Sequence, residues 1–497
     1  MRTIIVLSLA AALVAMPAPA QDNSLAARIR RVENGLAPPV VVAGRTDQGA
    51  SIADRMRASN TPAVSIAVIN DGRIEWARAY GTLQAGGPVA ADTGSLFQAA
   101  SISKPVAVLG ALLLAQRGTL SLDADVNTFL RAWRLPDNAF TAREKVTLRR
   151  IVSHSAGLTV SGFPGYAMTA QVPTTVQILD GQAPANTAPV RVDTLPGSLL
   201  RYSGGGLTVM QQLLVDVTGR PFPLFMRETV LLPLGMTHSS YEQDVPADRA
   251  ARTARAHARD GTPIAGGWHR YPEMAAAGLW TTPSDLARFA IAVHRAYHGA
   301  EGGLVSPALA RQMVTQQSGG PGGGFGLGLE VNRMGTPSGW FGHSGSNAGY
   351  RAQMMMMAET GQGAVVMTNS DAGNEVMFEV LRSIAREYGW PTFQPVEKAA
   401  APMEPALLRD APGRYQGTFQ GQTVTYTAQA ADGALTIFAP PWPAPRILYR
   451  TPAPELRFFI RESEREYTFE RDASGRVVRM RVTGGGSPEI VAERVPD

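Results

Sequence analysis

The apolar run from Val106 to Ala115 constrains the fold most, because ten consecutive residues carry no charged or strongly polar side chain. A helix that is apolar on every side must be buried among other elements. Pro105 is tolerated in a first helical turn, where the backbone N–H groups have no partner within the helix, and Gly118 lies near the expected end. The sequence therefore predicts a buried helix that begins near residue 101.

Ser101 and Lys104 stand at the start of this helix, in a chain whose other lysines are Lys145 and Lys398. Residues i and i+3 share a helix face, so the amine can lie beside the hydroxyl. Serine becomes a nucleophile when a base takes its proton, and lysine is such a base if its environment lowers its pKa from about 10.4 to about 7–8. The pair predicts a nucleophile and its base in a pocket. A helix cap beside a solvated lysine is the alternative.

Composition limits the class of function. The chain has 497 residues, of which 44% are hydrophobic and 18% charged, and its formal net charge of +5 comes from scattered arginines without a basic run. These values are ordinary for globular domains, and we predict no nucleic-acid partner. The absence of cysteine excludes disulfides, thiolate metal sites and lipid anchoring through a cysteine.

The amino terminus has the pattern of a secretory signal. Arg2 precedes the apolar segment 4–16, which is short for a bilayer span, and Ala18 and Ala20 offer small residues before a cleavage site. We predict a signal peptide over residues 1–20, cleavage near Ala20 and a periplasmic or secreted mature chain without an integral membrane segment. An uncleaved membrane anchor is the competing interpretation.

The middle of the chain mixes helix and strand patterns. Residues 65–69 and 73–76 flank Asn70-Asp71-Gly72 and predict a β-hairpin. Further patterns predict helices and strands. The helices are expected at 207–217 and 283–298, and the strands at 353–358 and 363–368.

The carboxy-terminal tail, residues 394–497, has a different sequence pattern from the middle of the chain. Residues 394–408, rich in proline and alanine, predict a linker. Short strand-like runs separated by turn residues then predict a small all-β domain, a barrel or a sandwich. These runs are 415–419, 423–427, 435–438, 456–460, 467–470 and 477–482.

Two further segments complete an ordered set of motifs. Residues 202–206 read Tyr-Ser-Gly-Gly-Gly, and residues 341–347 read Phe-Gly-His-Ser-Gly-Ser-Asn. Ser-x-x-Lys, then tyrosine, then a basic residue-x-Gly resembles the order found in β-lactamases and penicillin-binding proteins. Residues 153–158, 233–237 and 278–282 are also similar to stretches of the serine β-lactamase-like hydrolases. That family contains class C β-lactamases, D-alanyl-D-alanine carboxypeptidases, D-aminopeptidases and related esterases.

The resemblance covers residues 51–389 and implies an α+β fold of the β-lactamase/penicillin-binding-protein-like transpeptidase type. Such a fold has an antiparallel sheet flanked by helices, with a helical subdomain. The all-β tail resembles the lipocalin-like barrel that some members carry. We therefore divide the chain into a signal peptide (1–20), a hydrolase domain (21–393), a linker (394–408) and an all-β domain (409–497).

The resemblance also implies roles for individual residues. Ser101 attacks a carbonyl and forms an acyl-enzyme, while Lys104 and Tyr202 share the proton transfers. The backbone amides of Ser101 and Ser346 form the oxyanion hole, and Tyr202 later assists the water that hydrolyses the ester. No metal or organic cofactor is required.

Two departures from the family's patterns concern the substrate. Gly204 stands where many β-lactamases have an asparagine that holds an acylamino group, and His343 stands where they have lysine. Histidine, with a reference pKa of about 6.5, is mostly neutral at pH 7, which favours the D-peptidase and esterase branches. We expect His343 to act in the chemistry or only in substrate binding, and Ser344 and Gly345 to bind substrate.

The sequence thus predicts an exported serine hydrolase that cleaves an amide or ester bond in a small molecule or peptide through an acyl-enzyme on Ser101. Two alternatives remain open. One is a true β-lactamase of the class C type. The other is a penicillin-recognising or scaffold protein that binds cell-wall fragments or partners without turnover. The oligomeric state is also left open.

Overall fold

The computed structural model describes residues 22–45, 49–304, 306–440, 442 and 444–496. The predicted signal peptide, residues 1–20, lies outside the described residues. Within these ranges, no helix combines the length and the apolar character that a bilayer span requires. The described chain forms a large sheet flanked by helices, a closed β-barrel and two short accessory sheets.

The large sheet is antiparallel throughout. In chain order, the strands of the first part of the chain are β1 (Val40–Val42), β2 (Ala63–Asn70), β3 (Arg73–Gly81), β4 (Phe97–Gln98), β5 (Trp280–Thr281), β6 (Ser318–Gly320), β7 (Gly323–Phe325), β8 (Glu330–Asn332), β9 (Trp340–Asn347), β10 (Tyr350–Met357), β11 (Gly363–Thr368) and β12 (Val396–Lys398). Eight of them form the sheet in the order β3-β2-β11-β10-β9-β8-β7-β6. The strands predicted at 353–358 and 363–368 are confirmed as β10 and β11.

The predicted hairpin is confirmed as β2 and β3. The two strands pair with Asn70 opposite Arg73, which leaves Asp71 and Gly72 as the turn. Both turn residues have positive φ, 51° and 64°. Two positive φ values define a type I′ turn, whose twist matches that of the strands, and Asp-Gly is a preferred sequence for it.

The helices are α1 (Leu25–Asn34), α2 (Ile52–Ala58), α3 (Ser103–Gln116), α4 (Leu148–Val152), α5 (Thr175–Asp180), α6 (Gly204–Thr218), α7 (Phe222–Met226), α8 (Ala247–Ala250), α9 (Met274–Ala277), α10 (Pro283–Tyr297), α11 (Pro307–Val314), α12 (Asn374–Glu387) and α13 (Pro405–Asp410). Short 3₁₀ turns span Ala100–Ile102 and Val126–Thr128, and a π-helical turn spans Arg227–Leu231. The helices predicted at 207–217 and 283–298 are confirmed as α6 and α10.

Helices cover both faces of the sheet, and strand β10 shows this directly. Met354 and Met356 lie in the core that contains α3 and α10. Met355 and Met357 lie in the opposite core, with α1, α2 and α12. Since alternate side chains of a strand point to opposite faces, a strand covered on both sides has no polar face.

The buried helix predicted from residues 106–115 is α3. Every residue from Ser103 to Leu114 is buried, and the helix packs against α6 and α9. The regular helix begins at Ser103, so Ser101 lies in the 3₁₀ turn that precedes it. The apolar run therefore fixes a central helix whose amino end carries the Ser101–Lys104 pair.

The tail forms a closed eight-stranded barrel, which confirms the barrel-like prediction. Its strands are β13 (Gly413–Phe419), β14 (Gln422–Ala431), β15 (Ala434–Phe438), β16 (Arg446–Arg450), β17 (Arg457–Ile460), β18 (Ser463–Arg471), β19 (Val477–Thr483) and β20 (Ile490–Val495). The sequence patterns did not predict β16 and β20. β16 has a single buried residue, Leu448, and β20 alternates buried and exposed positions with charged residues among them. In the barrel β20 pairs with β19 and with β13, and the pairing with β13 closes the barrel.

The segment 394–408, interpreted as a linker, contains regular structure. Residues Val396–Lys398 form β12, which pairs in parallel with β1. Val40 and Val42 of β1 pack with Phe459 of the barrel, and Arg446 of the barrel donates to Glu375 of α12 at 3.1 Å. The barrel therefore contacts the hydrolase part on the α12 side of the sheet, whereas α3 lies on the other side.

Candidate active site

Ser101 lies on a strained turn at the amino end of α3. The residue before it, Ala100, is fully buried and has φ of +49°. This left-handed conformation is costly for a residue with a Cβ and persists only when the surrounding packing enforces it. The Ser101 side chain is partly exposed at this turn. The turn thus presents a hydroxyl from a rigid, buried backbone.

Lys104 contacts Ser101 as the i, i+3 spacing predicts. Its Nζ donates to Ser101 Oγ at 2.9 Å and to the carbonyl of Ala276 in α9 at 2.8 Å. The residue is 2% exposed. Burial lowers the pKa of Lys104 to about 7, while the negative charge of Glu330 opposes that shift. A substantial fraction of the amine is therefore neutral at pH 7 and able to accept a proton from the hydroxyl.

Tyr202 lies opposite this pair. Its ring centroid is 5.0 Å from Lys104 Nζ, and its hydroxyl interacts with the Ser101 side chain. Burial raises the pKa of the Tyr202 phenol, and the contact with Ser101 lowers it in part. The phenol is therefore protonated near pH 7, so it can donate a proton, and the neutral amine is the better base of the two.

The glycine run after Tyr202 permits close packing at the start of α6. The Ser203 hydroxyl caps the helix by accepting from Gly206 N at 2.9 Å. A Cβ on Gly204 would lie 2.9 Å from Cε2 of Phe163. The aromatic ring of Phe163 thus lies where a side chain at position 204 would begin.

Strand β9 approaches the Ser101 turn through Gly345. A Cβ at this position would lie 2.3 Å from the carbonyl oxygen of Ala99. His343 and Gly345 are buried on the face toward the turn, while Ser344 and Ser346 are exposed. The glycine of the third motif therefore allows β9 to lie directly against the turn that carries the serine.

The edge of β9 beside the turn is open. β8 pairs with β9 from Trp340 to Gly342, and its register contains no partner for residues 343–347. The N–H of Ser344 points to this side, because it donates to Glu330 Oε1 at 3.5 Å. Alternate residues of a strand direct their N–H groups the same way, so the Ser346 amide points to the same edge. This edge can bind an extended chain or an oxyanion.

His343 is buried between the strand and the aromatic rings of the site. Its Nδ1 is 2.6 Å from the carbonyl of Ser344, and its ring centroid is 6.2 Å from that of Tyr202. Its Nε2 has no hydrogen-bond partner among the described residues. Burial lowers the pKa of His343, so the ring is neutral at pH 7. Nδ1 then carries the proton donated to the Ser344 carbonyl, and Nε2 is a buried acceptor.

Glu330 belongs to the same cluster, although sequence reasoning did not find it. Its Oε1 is 3.7 Å from His343 Nδ1 and 3.3 Å from the hydroxyl of Ser344. Its charge acts on Lys104, Tyr202 and His343. The pairing of β8 with β9 brings it there, and a single glutamate in a short strand carries no motif. The Ala276 carbonyl was missed for a similar reason, because it is a backbone group.

In the part of the chain that the structure describes, no group of three or more acidic, histidine or cysteine residues is placed to hold a metal ion. The cluster itself brings together several groups that take part in acyl transfer in other proteins. These are a hydroxyl, a buried amine, a phenol, a neutral imidazole and the backbone amides along the open edge of β9. Together they suit acyl transfer at a carbonyl.

Comparisons with known proteins agree with this geometry. A family model described as Beta-lactamase matches residues 50–388. Penicillin-binding protein 4 of Amycolatopsis lactamdurans is 26% identical over 389 residues, which cover 74% of this chain and 95% of the relative. Esterase EstB of Burkholderia gladioli is 30% identical over 187 residues, which cover 36% of this chain and 47% of the relative. This chain thus spans about half the length of the esterase.

A solved structure extends the likeness to the barrel. The octameric penicillin-binding protein homologue from Pyrococcus abyssi has a TM-score of 0.59 at 20% identity, with 89% of this chain and 98% of that chain covered. At this identity the likeness concerns the fold alone. The family model and the fold place this protein in one class: the chain belongs to the beta-lactamase family of serine hydrolases and has the β-lactamase/penicillin-binding-protein-like fold. The predicted family and fold class are confirmed.

Proposed function

We propose that the protein is an exported serine hydrolase that cleaves an amide or ester bond through an acyl-enzyme on Ser101. The observation that carries this proposal is the 2.9 Å contact between Lys104 Nζ and Ser101 Oγ, with the amine buried. A scaffold protein without turnover has no need of a buried lysine beside a serine on a strained turn. The similarity to a penicillin-binding protein and to an esterase is consistent with acyl transfer.

The first step forms the acyl-enzyme. Neutral Lys104 takes the Ser101 proton as Oγ bonds to the substrate carbonyl carbon, and the carbonyl oxygen becomes an oxyanion. The amides of Ser101 and Ser346 stabilise that oxyanion, at about 3–4 kcal/mol for each donor. The open edge of β9 supports this role for Ser346, since its N–H points away from β10.

The leaving group then departs with a proton. The protonated Tyr202 phenol donates to the leaving nitrogen or oxygen, and the ammonium of Lys104 restores the proton to the phenol. The carbon–leaving-group bond breaks and the acyl group remains on Ser101. Water hydrolyses the ester by the reverse sequence of proton transfers, with Tyr202 as its partner. The raised pKa of Tyr202 supports its assignment as the proton donor.

The substrate is of the peptidase or esterase type rather than a β-lactam. Gly204 offers no side-chain amide to an acylamino group, and the Phe163 ring makes that part of the site apolar. Neutral, buried His343 provides no permanent cation for the carboxylate of a β-lactam. The Ser344–Gly345 backbone binds the substrate along the β9 edge, and the buried His343 ring lies behind that edge, next to Tyr202.

A panel of three substrates tests this proposal. Turnover of a p-nitrophenyl ester, a D-alanyl peptide and nitrocefin is measured for the wild type and for Ser101→Ala. We expect turnover of the ester or the peptide well above that of nitrocefin, and a loss of about 10⁴-fold or more in the variant. Faster turnover of nitrocefin than of the others supports a true β-lactamase. Equal rates for the wild type and Ser101→Ala contradict the proposal.

A further inference from the structure

We propose that His154 is a positioning residue that fixes the Tyr202 phenol opposite Ser101. The inference rests on the proposed function only for its kinetic consequence, because the contact between the two side chains can be tested without turnover. Sequence motifs favour only a structural role for His154 within its own loop. The structure assigns it a more specific one.

His154 binds the chain on both sides of Tyr202. The N–H of Arg201 donates to the His154 carbonyl at 2.7 Å, and the N–H of Ser203 donates to His154 Nδ1 at 3.1 Å. One histidine therefore accepts from the residue before the tyrosine and from the residue after it. These two bonds leave the backbone at position 202 little freedom to rotate.

The imidazole also contacts the phenol ring itself. The centroids of His154 and Tyr202 are 4.3 Å apart with an interplanar angle of 36°, and the edge of Phe325 packs on His154 at 4.7 Å. His154 is 2% exposed. The three rings form one cluster, because Phe325 also lies 5.8 Å from Tyr202, and the buried His154 ring makes the shortest ring contact with the phenol.

The loop that carries His154 is itself well anchored. His154 N donates to the carbonyl of Ile151 at 3.1 Å, and Ser155 N donates to that of Arg150 at 2.8 Å. The hydroxyls of Ser153 and Ser155 are 3.0 Å apart. The backbone of α4 therefore anchors the loop, and both pack against the glycine-rich start of α6, whose tyrosine His154 supports.

Histidine is suited to this position for two reasons. Burial and the nearby charge of Lys104 hold the pKa of His154 well below its ordinary value, so the ring stays neutral and Nδ1 keeps the lone pair that accepts from Ser203. The backbone has φ of +56°, a left-handed conformation that histidine and asparagine adopt more readily than bulkier residues.

Three substitutions separate the contribution of the His154 hydrogen-bond acceptor from that of its ring. His154→Asn keeps an acceptor at the position of Nδ1 and tolerates the left-handed backbone, but it loses the ring. His154→Phe keeps a ring and loses the acceptor. His154→Ala loses both. Each is made in the wild type and in Tyr202→Phe. His298→Ala, at the exposed residue that follows α10, is the control expected to keep the wild-type kinetics.

We expect kcat for ester hydrolysis to fall by about 100-fold in His154→Ala, and by about 10-fold in His154→Asn, with KM changed little. In the Tyr202→Phe background the same substitutions should change kcat by less than about threefold, because the group they position no longer has its hydroxyl. Equal losses in both backgrounds, or losses confined to KM, would overturn the proposal.

A double-mutant cycle measured by thermal unfolding, the stability cycle, tests the contact between His154 and Tyr202 without turnover. The Tm losses of His154→Ala and Tyr202→Ala should combine to less than their sum in the double variant, since each substitution removes the same ring contact. Strict additivity overturns the positioning role even if the enzyme is active. If the wild type hydrolyses none of the substrates, the proposed function fails, and the stability cycle still decides whether His154 holds Tyr202.

Discussion

At the scale of single residues, the proposed chemistry depends on the burial of one amine. Lys104 is enclosed by α3, α9 and the serine turn, and its two hydrogen bonds go to a hydroxyl and a carbonyl, not to a carboxylate. A carboxylate partner would hold the amine protonated, whereas these neutral acceptors leave desolvation as the dominant effect on its pKa. Local burial therefore makes this lysine a base.

The activity should accordingly depend on the neutral form of Lys104. Its pKa is about 7, so we expect kcat/KM to rise about tenfold per pH unit below 7 and to level off above it. Lys104→Arg keeps the positive charge at every pH in this range and should abolish turnover. A pH profile of kcat/KM checks both points. A profile flat from pH 5 to 8 would contradict this role for the amine.

Glu330, on the neighbouring strand β8, affects the pKa of Lys104 through its charge. Its negative charge raises the pKa of Lys104. In Glu330→Gln that charge is absent, so the pKa of Lys104 should fall further and the acidic limb of the profile should move to lower pH. Glu301→Gln, at an exposed position of a loop, is the matched control. A shift to higher pH would show that Glu330 acts in another way.

At the scale of elements, the site depends on how closely β9 packs against the turn before α3. Gly345 is the point of contact, since any side chain there would overlap the Ala99 carbonyl. The turn has a left-handed residue, Ala100, whose conformation must be maintained by its neighbours. The strand and the turn therefore fix each other, and with them the two amides proposed for the oxyanion hole.

Gly345→Ala tests this contact. The added Cβ meets a backbone atom at 2.3 Å, so either the strand or the turn must shift. We expect kcat/KM to fall by about 100-fold, because a displacement near 1 Å disturbs the reacting geometry, together with a lower Tm. Gly320→Ala on β6, where a Cβ would meet nothing within 4 Å, should change neither. Wild-type kinetics in Gly345→Ala would contradict the importance of this contact.

The sequence predicted those parts of the site that local spacing determines. Ser101 and Lys104 share a helical turn, and the apolar run after them required burial, so their contact followed from the residues themselves. Glu330 and the Ala276 carbonyl could not be predicted, because strand register and helix packing bring them in from distant parts of the chain. Strand β16 has one buried residue and β1 has three residues, which is too little pattern to detect.

At the scale of the whole molecule, the barrel and the site occupy opposite sides of the large sheet. The barrel meets β1 and α12 through Phe459 and Arg446. The serine turn and α3 belong to the core on the other face. Within one chain, the barrel is therefore a support for the α12 side rather than a cover for the cleft.

Phe459→Ala should separate stability from activity. Phe459 is fully buried against Val40 and Val42, and Lys398 Nζ lies 5.7 Å from its ring centroid. We expect the free energy of unfolding of the barrel, including its contact with β1, to fall by about 3–5 kcal/mol. The value of kcat/KM of the folded variant should stay within about twofold of the wild-type value. Thermal unfolding and ester kinetics measure the two effects. Ile447→Ala, at a position 46% exposed on β16, is the control. A large loss of kcat/KM in folded Phe459→Ala would place the barrel in the catalytic mechanism.

The acyl-enzyme on Ser101 is tested most directly by mass spectrometry of the protein quenched during turnover of an activated ester, followed by peptide mapping. We predict that the mass of the acyl group appears on the peptide that contains Ser101, and that Ser101→Ala acquires no such mass. An acyl group found elsewhere, or rapid turnover without any acylated peptide, would contradict an acyl-enzyme on Ser101.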